Sequence, residues 1–454
     1  MSGSACFAVR GVIEGFYGTP WTHEERLDMI DFLHRHDYNA YFYAPKDDEY
    51  LRERWMEPLP AIANQQLDEL IQRAKTRNMQ FIYCLGPGLS MEYTNRQHLE
   101  LLGRKYRDLY DRGVRYFALL FDDIPMHLLH EKDVAEFAHL AEAHTRTTLY
   151  VWDLIRSWGD PVKLVVCPTQ YNGIGKEAYI MYLGQHLPQE IDLFWTGRFV
   201  CSPYLTDGDA IRFQEYTGHQ PFYWDNYPVN DLAMANELHI GPLRHRDPDL
   251  WQYAAGYVAN AMSRPECSKI PLITTAAYLR DPIGYDPDTV WKRAVEEVAG
   301  QKDADAFFIF ADNVQSSFLC EVESPRLLEA ILTFRFHFLE GDRQKAVTDL
   351  TTLFQKMEEA ADKLLAGMTN QKLAEETRPW VEKFHLWTKV GLSAVALIDH
   401  GTRGRLPQAA YHLLRLKQWL KRTERYPQEV CGPVMQLFVD AVMQEVKKTS
   451  KKSS

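Results

Sequence analysis

The sequence predicts an α/β protein, a (β/α)8 TIM-type barrel followed by an all-α helical bundle region, and two observations carry that expectation. Over the first two thirds of the 454 residues, short β-rich apolar runs alternate with amphipathic helical stretches. From Leu327 onward the pattern is helical almost throughout. A doubly wound open sheet would show the same alternation, and periodicity does not choose between the two topologies.

The strand-like runs fall at 7–13, 40–43, 80–84, 116–121, 163–167, 192–195, 222–224 and 256–259. Several are near-continuous hydrophobic stretches, as parallel strands buried on both faces require. Between the first two, Thr22-His23-Glu24-Glu25 has capping-box spacing and leads into Leu27, Ile30 and Phe32-Leu33. Leu67, Leu70, Ile71 and Ala74 stand at i, i+3, i+4 and i+7, which gathers them on one helical stripe. Later helices are expected over 327–339, 346–368, 371–399, 407–425 and 434–448. Gly341-Asp342, Thr369-Asn370 and the Gly-Thr-Arg-Gly stretch at 401–404 separate them as stop signals do. The expected domains are a catalytic barrel over 7–300, a helical domain over 301–448 and a basic tail over 449–454 that is solvated and disordered.

Composition narrows the function. With 46% hydrophobic and 25% charged residues the chain is an ordinary globular protein. Its 51 basic and 62 acidic residues give a net charge of -11, which supplies no basic field for nucleic acid or an anionic membrane, so neither is an expected partner. The seven cysteines, at 6, 84, 167, 201, 267, 320 and 431, are odd in number and dispersed, a pattern of reduced thiols. The opening MSGSACFAVRGVIEGFYG lacks a basic segment followed by a long apolar one, so no signal peptide is expected. No apolar run approaches the length of a membrane span. A cytoplasmic location is the expectation that follows.

The most informative local pattern is Phe117-Ala118-Leu119-Leu120-Phe121-Asp122-Asp123-Ile124-Pro125. An apolar strand running into two adjacent carboxylates is costly to bury unless they are paired or functional. At the carboxyl end of a barrel strand they would face the active site. Neighbouring side chains on a regular strand point to opposite faces, so both can serve one site only if the chain leaves strand geometry here, and Pro125 marks such an exit. Two close carboxylates would repel, leaving one protonated and one charged, as acid–base chemistry needs. An Asp-Asp loop capping the next helix is the alternative reading.

Other strand ends repeat the theme. Glu14-Gly15-Phe16-Tyr17-Gly18, Ala44-Pro45-Lys46-Asp47-Asp48, Cys167-Pro168-Thr169-Gln170-Tyr171-Asn172-Gly173, Trp195-Thr196-Gly197 and Trp224-Asp225-Asn226-Tyr227-Pro228-Val229-Asn230-Asp231 follow five of the runs, and Asn260 closes the last. Aromatic faces pack on a pyranose while amides and carboxylates bond its hydroxyls, so the shared position favours a carbohydrate site. Rival chemistries are poorly supplied. His127 and His130 make no HExxH or similar metal pattern, Gly173-Ile174-Gly175 lacks the rest of a dinucleotide fingerprint, and Cys167 is expected to be a buried thiol. No metal and no cofactor is expected.

Taken in order, GVIEGFYGTPW, YAPKDD, FALLFDDI, CPTQYNG, WTG, WDNYPVND and VANAM resemble glycoside hydrolase family 84, the O-GlcNAcase and bacterial β-N-acetylglucosaminidase family, over roughly residues 8–290. The resemblance implies a catalytic barrel and a retaining exo-β-N-acetylglucosaminidase in which the substrate's own 2-acetamido carbonyl attacks the anomeric carbon and forms an oxazoline. It implies that Asp122 polarises the acetamido N–H and that Asp123 protonates the departing oxygen, then deprotonates the incoming water. Gly15, Lys46, Tyr171, Trp224, Asn226, Asp231 and Asn260 are implied ligands of the sugar. The expected partner is a β-GlcNAc-bearing protein or glycan. Two other readings stand beside it: a GlcNAc-binding barrel without catalysis, against which the presence of both aspartates argues, and an endo-acting hyaluronidase-like hexosaminidase. The apolar stripes of the C-terminal helices would serve a homodimer or packing within the chain equally well.

Overall fold

The computed structural model describes residues 7–320, 322 and 324–452, with side chains described as far as Lys448. Eight parallel strands, β1 (Arg10–Glu14), β2 (Ala40–Tyr43), β3 (Gln80–Leu85), β4 (Tyr116–Leu120), β5 (Lys163–Cys167), β6 (Ile191–Trp195), β7 (Pro221–Asp225) and β8 (Gly256–Asn260), pair in chain order. β8 returns to β1 with Ile13 opposite Asn260, so the sheet closes and the open-sheet alternative is removed. The first strand begins at Arg10, later than the apolar run suggested, because Arg10 takes up its pairing through Asn39 and through β8.

Inside the barrel the side chains follow the strand period of two. Val9 and Ile13, Ala40, Phe42 and Ala44, Ile82 and Cys84, Ala118 and Leu120, Val165 and Cys167, Phe222 and Trp224 all face one core. Phe42, Phe194 and Phe222 fill its middle with ring centroids 5.0–6.1 Å apart. Gly11 makes room for them: a Cβ there would lie 2.9 Å from the Phe42 ring and 2.8 Å from Val258. The glycine is therefore a packing choice beside the branched residues Val12 and Ile13.

The capping box before the first helix, His23–Arg35, is present in full, with Thr22 accepting from the Glu25 N–H and Glu25 from the Thr22 N–H. Leu67, Leu70, Ile71 and Ala74 are the buried stripe of Ala61–Thr76.

Two compact units divide the chain, one holding the barrel (up to Asp231, with Leu243–Pro265 and Leu272–Asp286) and one from Pro287 onward with Leu232–Pro242 and Glu266–Pro271. The second unit is helical, its longest elements being Pro325–Glu340, Arg343–Ala366, Gln371–Thr402, Leu406–Thr423 and Gly432–Lys452. Their breaks have local causes. Gly341 closes one helix in a left-handed conformation, and Asp342 and Asn370 cap the next two by accepting from the Lys345 and Leu373 N–H groups. Helices Pro287–Ala299 and Ala304–Ala311 also belong to this unit. Backbone of the last helix runs to Lys452; the side chains of the expected basic tail and residues 453–454 lie outside the described residues, as does Cys6.

Candidate active site

The site is the next layer of the barrel's inward-facing ladder. Two residues beyond Ile13, Ala44, Leu120, Trp224's own position and Val258 come Gly15, Lys46, Asp122, Asn226 and Asn260. Apart from Gly15, the residues that a strand would bury as apolar are here polar, and they sit at the carboxyl ends where loops admit a ligand.

Asp122 and Asp123 share the site because the chain turns between them. Asp122 continues the inward side of β4 and is buried. Asp123 adopts φ +55°, a left-handed conformation that costs a residue with a Cβ roughly 1–3 kcal/mol. That turn brings both carboxylates to Lys46: its ammonium is ion-paired with Asp122 Oδ2 and stands 3.9 Å from Asp123 Oδ2. Asp123 also accepts from the hydroxyls of Tyr17 (2.7 Å) and Tyr171 (2.8 Å). Arg52 donates to the Tyr17 hydroxyl at 3.0 Å.

This wiring corrects one expectation. Repulsion between the two aspartates was to hold one of them protonated. Burial does push the Asp123 carboxyl up, but the Lys46 charge, the two tyrosine hydroxyls and Arg52 together outweigh it and hold the group below the ordinary carboxylate value. Lys46, though buried, is held charged by both aspartates. The cation that the pair shares lies 76 residues from Asp122 in sequence.

The remaining predicted residues join this pair in two connected sets. In the first, Asn260 Oδ1 accepts from the Gly15 N–H at 3.1 Å and its Nδ2 donates to Asn226 Oδ1 at 2.9 Å, while Asn226 Nδ2 donates to the Val200 carbonyl at 2.8 Å. In the second, Asp231 accepts from the Tyr17 backbone N–H at 2.7 Å, and burial raises its carboxyl pKa. Trp224 lies between the sets. Its ring meets Phe194 edge-on at 5.2 Å, and Lys46 Nζ stands 5.2 Å from its centroid. A Cβ on Gly15 would lie 2.6 Å from Trp224 Cζ2, so only glycine lets the first strand end approach this indole. The Trp224 indole N–H is buried and has no hydrogen-bond partner among the described residues.

Behind β4, His144 stacks on Phe121 at 3.9 Å and bonds the hydroxyls of Tyr93 (2.7 Å) and Tyr179 (2.6 Å). Burial pushes this imidazole down to about 3, so it is a neutral brace linking the residue before the aspartates to Thr169, whose N–H donates to Tyr179. Cys167 is buried and its thiol pushed up, which suits packing rather than nucleophilic attack. Gly173 and Gly175 both have positive φ in a loop. Among the described residues no group of three or more His, Cys, Asp or Glu is placed to hold a metal ion.

Tyr17 and Arg52 were not singled out in the sequence. Tyr17 stands inside the EGFYG motif, and its position two residues past Gly15 is the available signal. Arg52 carried none, since it is one arginine of two in Leu51-Arg52-Glu53-Arg54-Trp55 and reaches the site only because the β2 loop folds back.

Comparison with known proteins places these features in a family. Residues 10–312 match the family model described as beta-N-acetylglucosaminidase, and residues 329–439 match one described as hyaluronidase post-catalytic domain-like. The chain is 31% identical over 276 residues, 60% of its length, to the protein O-GlcNAcase of Rattus norvegicus and equally to that of Mus musculus. It spans 30% of the length of each of these relatives. A solved structure of a Thermobaculum terrenum O-GlcNAc hydrolase mutant superposes with a TM-score of 0.93 at 34% identity, covering 99% of this chain and 97% of that one.

Proposed function

Because the chain belongs to the β-N-acetylglucosaminidase family of glycoside hydrolases, we propose that it removes terminal β-linked N-acetylglucosamine from protein serine or threonine, or from glycoconjugates, with retention of anomeric configuration. The observation that carries this reading is the carboxylate pair at the end of β4, brought together by the turn at Asp123 and bridged by Lys46.

The chemistry follows from what each group can do. Asp122, buried and ion-paired with Lys46, is suited to accept the acetamido N–H and so to push electron density toward the amide oxygen. That oxygen attacks the anomeric carbon as the bond to the leaving oxygen breaks, giving an oxazoline. Asp123, more open to solvent, delivers a proton to the leaving oxygen and later takes one from the water that opens the ring. Holding the acetamido group against the anomeric carbon makes the attack unimolecular, which can remove about 7–11 kcal/mol of barrier. Tyr171 and Trp224 would hold and wall the acetamido group; Lys46, Asn226, Asp231 and Asn260 would bond sugar hydroxyls, with Gly15 giving close approach. Tyr17 and Tyr171 each donate to one oxygen of Asp123, and each of these oxygens keeps a second lone pair for the proton it exchanges with the leaving group or water.

Two steps of inversion at the anomeric carbon give net retention. Following the released sugar by proton NMR in the first minutes should show the β-anomer ahead of mutarotation; initial release of the α-anomer would refute the oxazoline route.

A reduced, cytoplasmic setting is proposed from the seven dispersed cysteines, an odd number without the spacing of a disulfide framework. A homodimer through the helical region is proposed from Leu332, Phe336 and Leu339, which share one exposed face of Pro325–Glu340 at i, i+4 and i+7. Sedimentation equilibrium giving a monomer mass at micromolar concentration would dismiss it.

A further inference from the structure

The end of β7 is held from behind by a buried arginine that the proposed chemistry does not use. Asp225 lies between Trp224 and Asn226, and strand alternation turns its side chain out of the barrel interior. Its carboxylate receives the Arg246 fork, Nε to Oδ2 at 2.8 Å and Nη2 to Oδ1 at 2.7 Å, together with the Tyr257 hydroxyl. The Arg246 side chain has 0% exposure. The same guanidinium also donates to the carbonyls of Ser202 (3.2 Å) and Pro203 (3.1 Å) in the loop after β6. That loop is stitched to the Arg246 segment by Leu205 N–H to His245 O and Asp247 N–H to Leu205 O, each 3.0 Å. It also carries Val200, the carbonyl that takes the Asn226 amide.

One guanidinium thus fixes both ends of the Val200–Asn226 hydrogen bond: the strand end through Asp225, the loop through Ser202 and Pro203. Asn226 in turn has its oxygen on Asn260 Nδ2, so its amide plane is set from two sides. We propose that Arg246 is a positioning residue whose bridge orients the Asn226 amide and thereby sets the affinity of the site for the sugar. The proposal rests on Asn226 being a sugar ligand. A lysine cannot replace the bridge, because an ammonium keeps the charge but lacks the planar fork that reaches a carboxylate and two carbonyls together. Nor does burial of the pair argue for stability alone, since apolar pairs of similar volume often serve a fold as well or better.

The test is steady-state kinetics on 4-nitrophenyl β-N-acetylglucosaminide with Arg246→Lys, Asn226→Ala and the double variant. Loss of one well-oriented hydrogen bond is worth about tenfold, so Arg246→Lys should raise KM by about that factor with kcat within about threefold. Asn226→Ala should raise KM at least as far, and the double variant should be no worse than Asn226→Ala alone. Should the lysine variant fail to fold, Arg246→Met with Asp225→Leu removes both charges and is expected to show the same KM rise. Factors that multiply in the double variant, or an unchanged KM with only a lowered melting temperature, would overturn the role of Arg246. An unchanged KM in Asn226→Ala would overturn it together with the sugar-ligand reading, and is distinguishable because it arises without touching Arg246.

Discussion

Asp123→Asn should cut turnover of β-N-acetylglucosaminides with alkoxide leaving groups by about 10²–10⁴-fold, while glycosides of activated phenols lose far less. An alkoxide needs a proton as it departs and a nitrophenolate does not, so the ratio of the two losses isolates proton delivery from binding. Asparagine keeps the size of the side chain and can still meet the Tyr17 and Tyr171 hydroxyls, which limits structural side effects. The pH profile sharpens the expectation. An acid works only while protonated, so the rate falls as pH rises through its pKa. In the free protein Lys46, the two tyrosines and Arg52 hold that pKa below the ordinary value. Substrate that excludes water from Asp123 raises it. The basic limb of kcat for an alkoxide substrate should therefore lie at higher pH than that of kcat/KM, and it should vanish in Asp123→Asn. Equal losses on both substrate classes would remove Asp123 from the acid role.

The second large effect is expected at Asp122. Asp122→Asn should slow both classes of substrate alike, by about 10²–10³-fold, because attack of the acetamido oxygen on the anomeric carbon accompanies departure of either leaving group. The carboxylate sits in a buried ion pair with Lys46, and its removal leaves that ammonium with Asp123 at 3.9 Å. Breaking a buried pair typically costs about 3–5 kcal/mol, so melting temperature has to be followed in parallel. The ratio of the two rates does not depend on the folded fraction. A loss confined to alkoxide substrates would mean that the two aspartates have exchanged roles.

Much of this arrangement is legible in the sequence, for an identifiable reason. Barrel strands are buried on both faces, so their ends show as a sudden change from apolar to polar residues, and the step from Leu120 to Asp122 is one such change. The helix breaks at Gly341-Asp342 and Asn370 were equally plain, because left-handed closure and side-chain capping depend on single residues. What the chain order hid was whatever depends on distant segments meeting. Closure of β8 onto β1, the cation between the two aspartates, Arg52 on Tyr17 and Arg246 behind β7 are of this kind. The lowered Asp123 pKa belongs with them, since two adjacent acids read alone suggest repulsion and only the folded chain supplies Lys46.

The central claim, that the substrate's own acetamido group is the nucleophile and this site its holder, is met most directly by comparing 4-nitrophenyl release from the β-N-acetylglucosaminide and from the β-glucoside. The two differ only at C2, and both carry a leaving group that needs no proton. Release from the first with none measurable from the second is the predicted result. Comparable rates on both would show that the acetamido group takes no part, and would contradict the account.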